Sequence, residues 1–387
     1  MNALRILHTS DWHVGVTMKG RSRLDEQRAV FRQIVEIAKT EAVDLVIVAG
    51  DLFDTASPSS EAQKLLTGAL SALHGTGAEV VVIAGNHDNG RALDALRDWA
   101  HAAGIHLRGS LGKATDHIVT GTTASGERWK VAALPFIAQR HAVRAAELFE
   151  LGAAGAEATY ADHLRRLVAA LTHGFTAEEV NLFCGHLTVV GGKVGGGERE
   201  VHTVADYAVP AAIFPASTNY VALGHLHKAQ KIEGPCTIRY SGGPIAVDFG
   251  EEDHTPSVTI VEVTADTPAL TRTIPLTEAV PLKTVRGTLE ELRKTEVDQR
   301  AWLRVFVTEP ARAGLRGEVA DLFERAVQIH IDPILRAEER KPRQRRAGRS
   351  PGELFGAYLT ENGYDDPAVA RLFAELYEDT QTVAEEA

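Results

Sequence analysis

The sequence predicts an α/β protein with a mixed sheet system, and three observations carry that prediction. Short apolar runs such as Leu45 to Ala49 and Val80 to Ala84 alternate with helically patterned segments, as in strands joined by crossover helices. Five such runs stop abruptly in glycine, histidine, asparagine or aspartate: HTSDWH (His8 to His13), LVIVAGDLFD (Leu45 to Asp54), VVVIAGNHD (Val80 to Asp88), LFCGH (Leu182 to His186) and VALGHLH (Val221 to His227). Strands then dominate the region from Asn181 to Val263, which departs from a purely parallel, doubly wound arrangement.

Taken in order, Leu4 to Thr9 reads as a strand, and Leu24, Phe31, Ile34, Val35 and Ala38 fall at helical spacing. Leu45 to Ala49 is the second strand. Ser57 followed by Pro58 forms a helix start leading into Leu65, Leu66, Leu70 and Leu73. Val80 to Ala84 is the third strand, and a further helix is expected near Leu93 to Ala103. Parallel pairing places functional residues at the carboxyl ends of strands, where the motifs sit.

Beyond them, Trp129 to Phe136 reads as a strand and His141 to Phe149 and Tyr160 to His173 as helices. Asn181 to Cys184, Tyr220 to Leu223, Thr237 to Tyr240 and Ser257 to Val263 read as strands. Gly191 to Glu200, GGKVGGGERE, is too glycine-rich for regular structure and fits a mobile substrate loop or a plain connection equally well. From Pro275 the pattern becomes strand-helix-strand-helix-strand: Leu282 to Val285, Leu289 to Lys294, Trp302 to Val307, Leu315 to Ala326 and Val327 to Ile331, with Thr288 and Glu291 as a capping box. This is expected to be a second, small α/β domain. A basic linker follows, then two short amphipathic helices opened by Ser350-Pro351 and Asp366-Pro367. Leu354, Phe355, Tyr358 and Leu359 stripe the first; Val369, Leu372, Phe373, Leu376 and Tyr377 stripe the second.

Composition bounds the function. A chain of 387 residues with 44% hydrophobic content can bury a sizeable core in two or three domains. Its apolar runs fall far short of the roughly 18 residues a membrane-spanning helix needs. The N-terminus reads as a strand instead of a leader, so a cytoplasmic location is expected. Cys184 and Cys236 form no ligand or disulfide pattern and are expected to be buried, inert thiols. A net charge of −11 argues against a dedicated nucleic-acid binder. Yet Arg340, Lys341, Arg343, Arg345, Arg346 and Arg349 put six cations into ten residues, and bound metal ions would add further positive charge.

Asp11 and His13 are two apart, so on an extended segment both side chains can reach one cation; His225 and His227 repeat the spacing. Asp51, Asn86 and His186 each follow a glycine, whose missing Cβ allows close approach. Together these seven residues offer nitrogen and oxygen donors suited to Mn²⁺, Fe or Zn²⁺. Seven donors are too many for one ion. They suit two ions sharing Asp51, about 3.5–4 Å apart, a pair that activates water for in-line attack on phosphorus. His87 is then free to hydrogen-bond the transition-state oxygens or to protonate the leaving alcohol, with Asp88 as its expected orienting partner. Singly each motif reads as a turn or a cap; five in this order at strand termini have no packing explanation.

DWH, GDLFD, GNHD, GHL and GHLH in this order resemble the calcineurin-like metallophosphoesterase superfamily, and HTSDWHVG with AGDLFDT resembles its SbcD family of nuclease subunits. The likeness spans nearly the whole chain. It implies a four-layer α/β/β/α metallophosphoesterase sandwich (residues 1–275), a small α/β capping domain (276–338), a basic linker (339–349) and a C-terminal helix pair (350–387). It implies a dimanganese exonuclease and endonuclease, with Mg²⁺ as a possible substitute, that works with an SbcC-type ATPase on DNA ends. By the family pattern Asp11, His13, Asp51 and His227 hold one metal, Asp51, Asn86, His186 and His225 hold the other, and His87 is the catalytic histidine. The helices after Pro351 are similar to the segment that docks onto the ATPase coiled coil, and relatives form homodimers through helices near the second and third motifs. The chain departs from relatives at Asp54, where archaeal and eukaryotic members carry a second histidine, and at Gly243 in SGGP, where serine is common. Two rivals remain: a stand-alone nucleotide phosphodiesterase, which a cap and striped terminal helices disfavour, and a non-catalytic DNA-end scaffold, which an intact ligand set disfavours.

Overall fold

The computed structural model describes residues 3–142, 149, 151, 159–198, 207–310, 312–331, 351–361, 368–374 and 376–377. The chain opens with β1 (Leu4–Thr9), a two-residue pair β2 (Thr17–Met18) and β3 (Arg21–Ser22), and helix α1 (Leu24–Thr40). Then come β4 (Leu45–Ala49), α2 (Ser60–His74), β5 (Glu79–Ile83), two short helices α3 (Gly90–Asp94) and α4 (Arg97–Ala102), and β6 (Ile105–Arg108). β7 (Ile118–Thr122) and β8 (Arg128–Leu134) form a hairpin. The helix Tyr160–Thr172 leads to β9 (Val180–His186), β10 (Tyr220–Gly224), β11 (Gln230–Ile232), β12 (Thr237–Tyr240), β13 (Ser257–Thr264) and β14 (Thr267–Pro275).

These strands build two six-stranded sheets, ordered β14-β13-β1-β4-β5-β6 and β11-β12-β10-β9-β8-β7. In the first, β1, β4, β5 and β6 are parallel; in the second, β8, β9, β10 and β12 are parallel. Strict alternation assigns the layers. Leu45, Ile47 and Ala49 face Val131, Leu182 and Ala222 in a dry seam between the sheets. Val46 and Val48 instead pack on Val30, Phe31, Ile34, Leu66 and Leu70 of α1 and α2. On the far side Phe183, Val221 and Leu223 pack on Leu164, Leu167, Val168 and Leu171. The result is the expected α/β/β/α sandwich, whose parallel strands read as continuous apolar runs because both of their faces are covered.

A third sheet of three parallel strands, β15 (Leu282–Gly287), β16 (Trp302–Val307) and β17 (Ala326–Ile331), packs Val285, Leu303, Val305 and Val307 against Leu289, Leu292, Leu315 and Val319 of two helices. The Thr288–Glu291 capping box is formed. Farther on, the helix Pro351–Glu361 stacks Phe355 on Phe373, with ring centroids 4.0 Å apart.

Several expected boundaries moved. The cap of α2 is Ser59, whose side chain accepts from Ala62 N, so the helix begins at Ser60 and Ser57-Pro58 lies before it. The helix expected near Leu93 to Ala103 is two pieces broken around Ala95 and Leu96. The helix starting at Leu315 stops at Leu322, and β17 already begins at Ala326. β6, β7, β11 and β14 were not expected; they are short, or exposed on one face, and so lack a solid apolar run. Cys184 is buried, but Cys236 is only half-buried. Most of the helix expected at 141–149, the basic run 340–349 and the Asp366-Pro367 helix start lie outside the described residues.

Candidate metal centre

Loops at the ends of β1 and β4 are zipped together by backbone bonds: Asp11 N donates to Gly50 O (3.0 Å), His13 N to Asp51 O (3.0 Å) and Val14 N to Leu52 O (2.9 Å). That pairing holds three non-glycine residues in the left-handed region, Asp11 (φ 53°), His13 (φ 44°) and Asp51 (φ 50°), and His225 beside them has φ 97°. Such conformations cost about 1–3 kcal/mol each and persist only where the surroundings over-determine them. Two glycines let the loops close. A Cβ on Gly85 would stand 2.1 Å from Asp51 Oδ1, and one on Gly50 would stand 2.3 Å from His186 Nδ1.

The seven residues singled out in the sequence converge, and all are buried, at 0–6% exposure. Asp11, His13 and His227 bring donor atoms within 4.8 Å of one another, and Asp51, His186 and His225 do the same. His13 Nε2 and His227 Nε2 are 3.1 Å apart. Asn86 Oδ1 lies 2.9 Å from His186 Nε2 and 3.0 Å from His225 Nδ1. Asp51 Oδ1 accepts from His87 N (2.8 Å), while Oδ2 lies 3.8 Å from His13 Nε2 and 3.4 Å from His186 Nε2, between the two groups.

Comparisons with known proteins identify the family. The family model for calcineurin-like phosphoesterases matches residues 4–229. The chain is 36% identical to the SbcD component of the SbcCD nuclease of Bacillus subtilis strain 168, over 96% of this chain and 97% of that protein. The SbcD components of the same nuclease in Rhodobacter capsulatus and Escherichia coli K12 are 36% and 30% identical, over 72% and 79% of this chain and 71% and 78% of theirs. The chain belongs to the SbcD family of calcineurin-like phosphoesterases. It is therefore a phosphodiester-hydrolysing enzyme that uses divalent metal.

Whether this SbcD-family chain fits such ions is tested by its donors. His186 Nδ1 donates to Ala49 O (2.8 Å), which fixes the tautomer and leaves Nε2 a lone pair turned inward. His227 Nδ1 is 2.6 Å from Glu251 Oε1, the carboxylate–histidine arrangement that backs metal ligands. Buried imidazoles committed outward, with lone pairs facing carboxylate and amide oxygens, suit hard or borderline divalent cations. The electrostatics agree. Burial disfavours the His227 cation, but the hydrogen bond and charge of Glu251, with Asp11 and Glu198, push its pKa up to about 10. Burial likewise opposes charge on His186, yet Asp51 and Asp11 raise it to about 9. Burial would raise Asp51, but the surrounding histidines hold it well below the usual carboxylate range. The site is built to hold positive charge.

His87 and Asp88 divide differently from expectation. His87 is half-buried, and its Nδ1 donates to the backbone carbonyl of Asp54 (2.8 Å). Asp88 instead accepts backbone N–H bonds from Leu52 (3.0 Å), Phe53 (2.9 Å) and Gly85 (2.8 Å). Short strand-end loops leave bare amides beside Asp88, and these claim its oxygens. Burial and the charge of Asp51, partly offset by those bonds, raise its pKa to about 6. The ring of His87 is thus oriented by the Asp54 carbonyl, and Asp88 shapes the loop that carries it.

Sequence reasoning missed Glu251 and Glu198. Neither stands at a strand end, the only signal being GGGE in the glycine-rich stretch. Asp54, noted as a departure, brings Oδ1 to 3.6 Å from His13 Nδ1. At SGGP, Ser241 Oγ lies 2.8 Å from Ser10 Oγ, which donates to Asp11 Oδ2, and Gly243 N donates to His227 O (3.1 Å).

Proposed function

We propose that this protein is the metal-dependent nuclease subunit of a DNA-end-processing complex, a double-strand exonuclease and a single-strand or hairpin endonuclease that acts with an SbcC-type ATPase. The observation that carries this reading is Asp51 Oδ2 standing between two buried donor groups, in a chain whose relatives over most of its length are nuclease subunits. The cofactors are two divalent cations, Mn²⁺ in preference to Mg²⁺. Asp11, His13, Asp51 and His227 would hold one; Asp51, Asn86, His186 and His225 would hold the other. When bound, such a pair lowers the cost of deprotonating water and stabilises charge developing on the phosphoryl oxygens.

The chain's own residues supply the rest. Asp51 is pinned through Oδ1 by the His87 amide, so Oδ2 keeps its direction. With Nδ1 anchored on the Asp54 carbonyl, His87 would present Nε2 to a phosphoryl oxygen or to the leaving alcohol. Asp88 fixes the turn from Gly85 to His87 against Leu52 and Phe53, so Asn86, His87 and Asp51 form one rigid unit.

The division into a nuclease domain (1–275), cap (276–338), linker (339–349) and docking helices (350–387) is part of the proposal. Exposed Tyr358, Leu372 and Leu376 support docking of the last segment on a partner helix. Exposed Leu96 and Trp99, near the third motif, support a homodimer within a heterotetramer. Among the described residues no helix is long and apolar enough to cross a membrane; a cytoplasmic, nucleoid-associated enzyme is proposed.

The test is cleavage of linear duplex DNA with Mn²⁺, with and without the ATPase. His87→Ala should lose on the order of 10²–10⁴ in rate, the usual contribution of a positioned acid or base; undiminished cleavage overturns its role. Deleting Ser350 to Ala387 should abolish ATPase binding while leaving metal uptake intact, and retained affinity would move the docking surface elsewhere.

A further inference from the structure

Within the glycine-rich stretch, which the sequence read as a substrate loop or a plain connection, Glu198 reaches the metal centre. Glu198, at 9% exposure, accepts from Gly195 N (2.6 Å) and His227 N (2.9 Å) through Oε1 and from Gly196 N (2.7 Å) through Oε2. Glu251, at 1% exposure, meets His227 Nδ1 at 2.6 Å and accepts from Val247 N (2.7 Å) through Oε2. The two carboxylates thus hold one residue, by its ring and by its backbone.

We propose that Glu251 and Glu198 are positioning residues for His227, and that residues 195–198 are part of the frame of the metal centre. Three observations favour this over ordinary packing. A Cβ on Gly197 would stand 2.3 Å from Glu251 Oε1 and 2.9 Å from His227 Nδ1, so only glycine lets the segment close over the pair. Two buried carboxylates are costly to desolvate, and each makes one of its hydrogen bonds to His227, Glu251 to the ring and Glu198 to the backbone N–H, while loop amides of Gly195, Gly196 and Val247 hold the carboxylates themselves in place. The turn that carries Glu251, Phe249–Glu251, is anchored from outside: the Arg304 guanidinium lies 4.9 Å from the Phe249 ring centroid, and Glu252 accepts from Thr284 Oγ1, both partners belonging to the third sheet. His186 has a neutral carbonyl in the corresponding place. Of these two inward-facing rings, only His227 is backed by a carboxylate, which makes its Nε2 the stronger donor.

The inference rests on the two-ion reading, and titration separates the two. Mn²⁺ alone is titrated calorimetrically into the metal-free full chain, and the melting temperature of each variant is recorded alongside. The wild-type chain should take up two ions. Glu251→Ala should weaken one of them about 10–100-fold and leave the other unchanged, the usual cost of losing an outer partner. Glu251→Gln keeps an acceptor oxygen and should recover part of the loss; Glu198→Gln should weaken the same ion less. If the wild-type chain takes up no Mn²⁺, the metal-centre reading fails and takes this inference with it. If it takes up two and Glu251→Ala matches it, or if both affinities fall together with the melting temperature, the positioning role alone is overturned.

Discussion

The two large sheets bring different chemistry to one centre and support it differently. The first supplies Asp11, His13, Asp51 and Asn86 from loops zipped to one another, with Asp11, His13 and Asp51 in left-handed backbone. The second supplies His186, His225 and His227 from β9 and the loop after β10, and braces two of these rings through outward bonds to Ala49 O and Glu251. Asp11, His13 and Asp51 are held by strained backbone, whereas the His186 and His227 rings are held by acceptors on Nδ1. Both kinds of donor also need their rotation fixed, Asp51 by the His87 amide on Oδ1 and the rings by their Nδ1 partners, which set the tautomer as well.

The comparison predicts an order of damage. Asp51→Asn, at the point where the two halves meet, should cost the most, on the order of 10³-fold or more in cleavage, with both ions weakened in the Mn²⁺ titration. Loss of only one ion would mean that Asp51 serves a single ion site. Gly85→Ala should come next, because its Cβ would stand 2.1 Å from Asp51 Oδ1. Thermal unfolding should show about 1–3 kcal/mol of destabilisation, the usual cost of overpacking, with metal affinity reduced alongside. A wild-type melting temperature would show that the first sheet's loops yield where strain was expected to hold them.

The pH dependence is the gentlest test and reads the second sheet. His186 and His227 have pKa values raised from 6.5 to about 9 and about 10 in the metal-free protein. The folded state therefore binds more protons than the unfolded state between those values. The stability these protons contribute is fully present below about 6.5 and is lost as pH rises through 9 to 10. As ligands of the proposed Mn²⁺ pair the rings would carry no added proton, so this loss should disappear. The melting temperature of chelator-treated protein should thus fall from pH 7 to 9.5 relative to Mn²⁺-loaded protein, and the gap should widen. A constant gap would remove these two rings from the ligand set.

Much of this was legible in the sequence, for identifiable reasons. Strands covered on both faces, such as Leu45–Ala49 and Tyr220–Gly224, are solid apolar runs, so their ends and the residues there stood out. Edge strands such as Ile118–Thr122 and Gln230–Ile232 have one open face and mixed residues, and no period marked them. The boundary of α2 was misplaced because Pro58 is a helix-start signal and Ser59 beside it caps equally well. Asp88 was paired with the neighbouring His87 on sequence adjacency, but it accepts from the amides of Leu52 and Phe53, on a different strand end, as well as from Gly85 on its own. Glu198 and Glu251 act through residues 29 and 24 positions away in the chain, a relation visible only in three dimensions.

The central claim is that one carboxylate oxygen, Asp51 Oδ2, faces two cation sites, one in each donor group. Crystals grown with Mn²⁺ and measured for anomalous scattering test it most directly. Two peaks are predicted on either side of Asp51, one against Asp11, His13 and His227 and one against Asn86, His186 and His225. A single peak, or peaks away from Asp51, would contradict it.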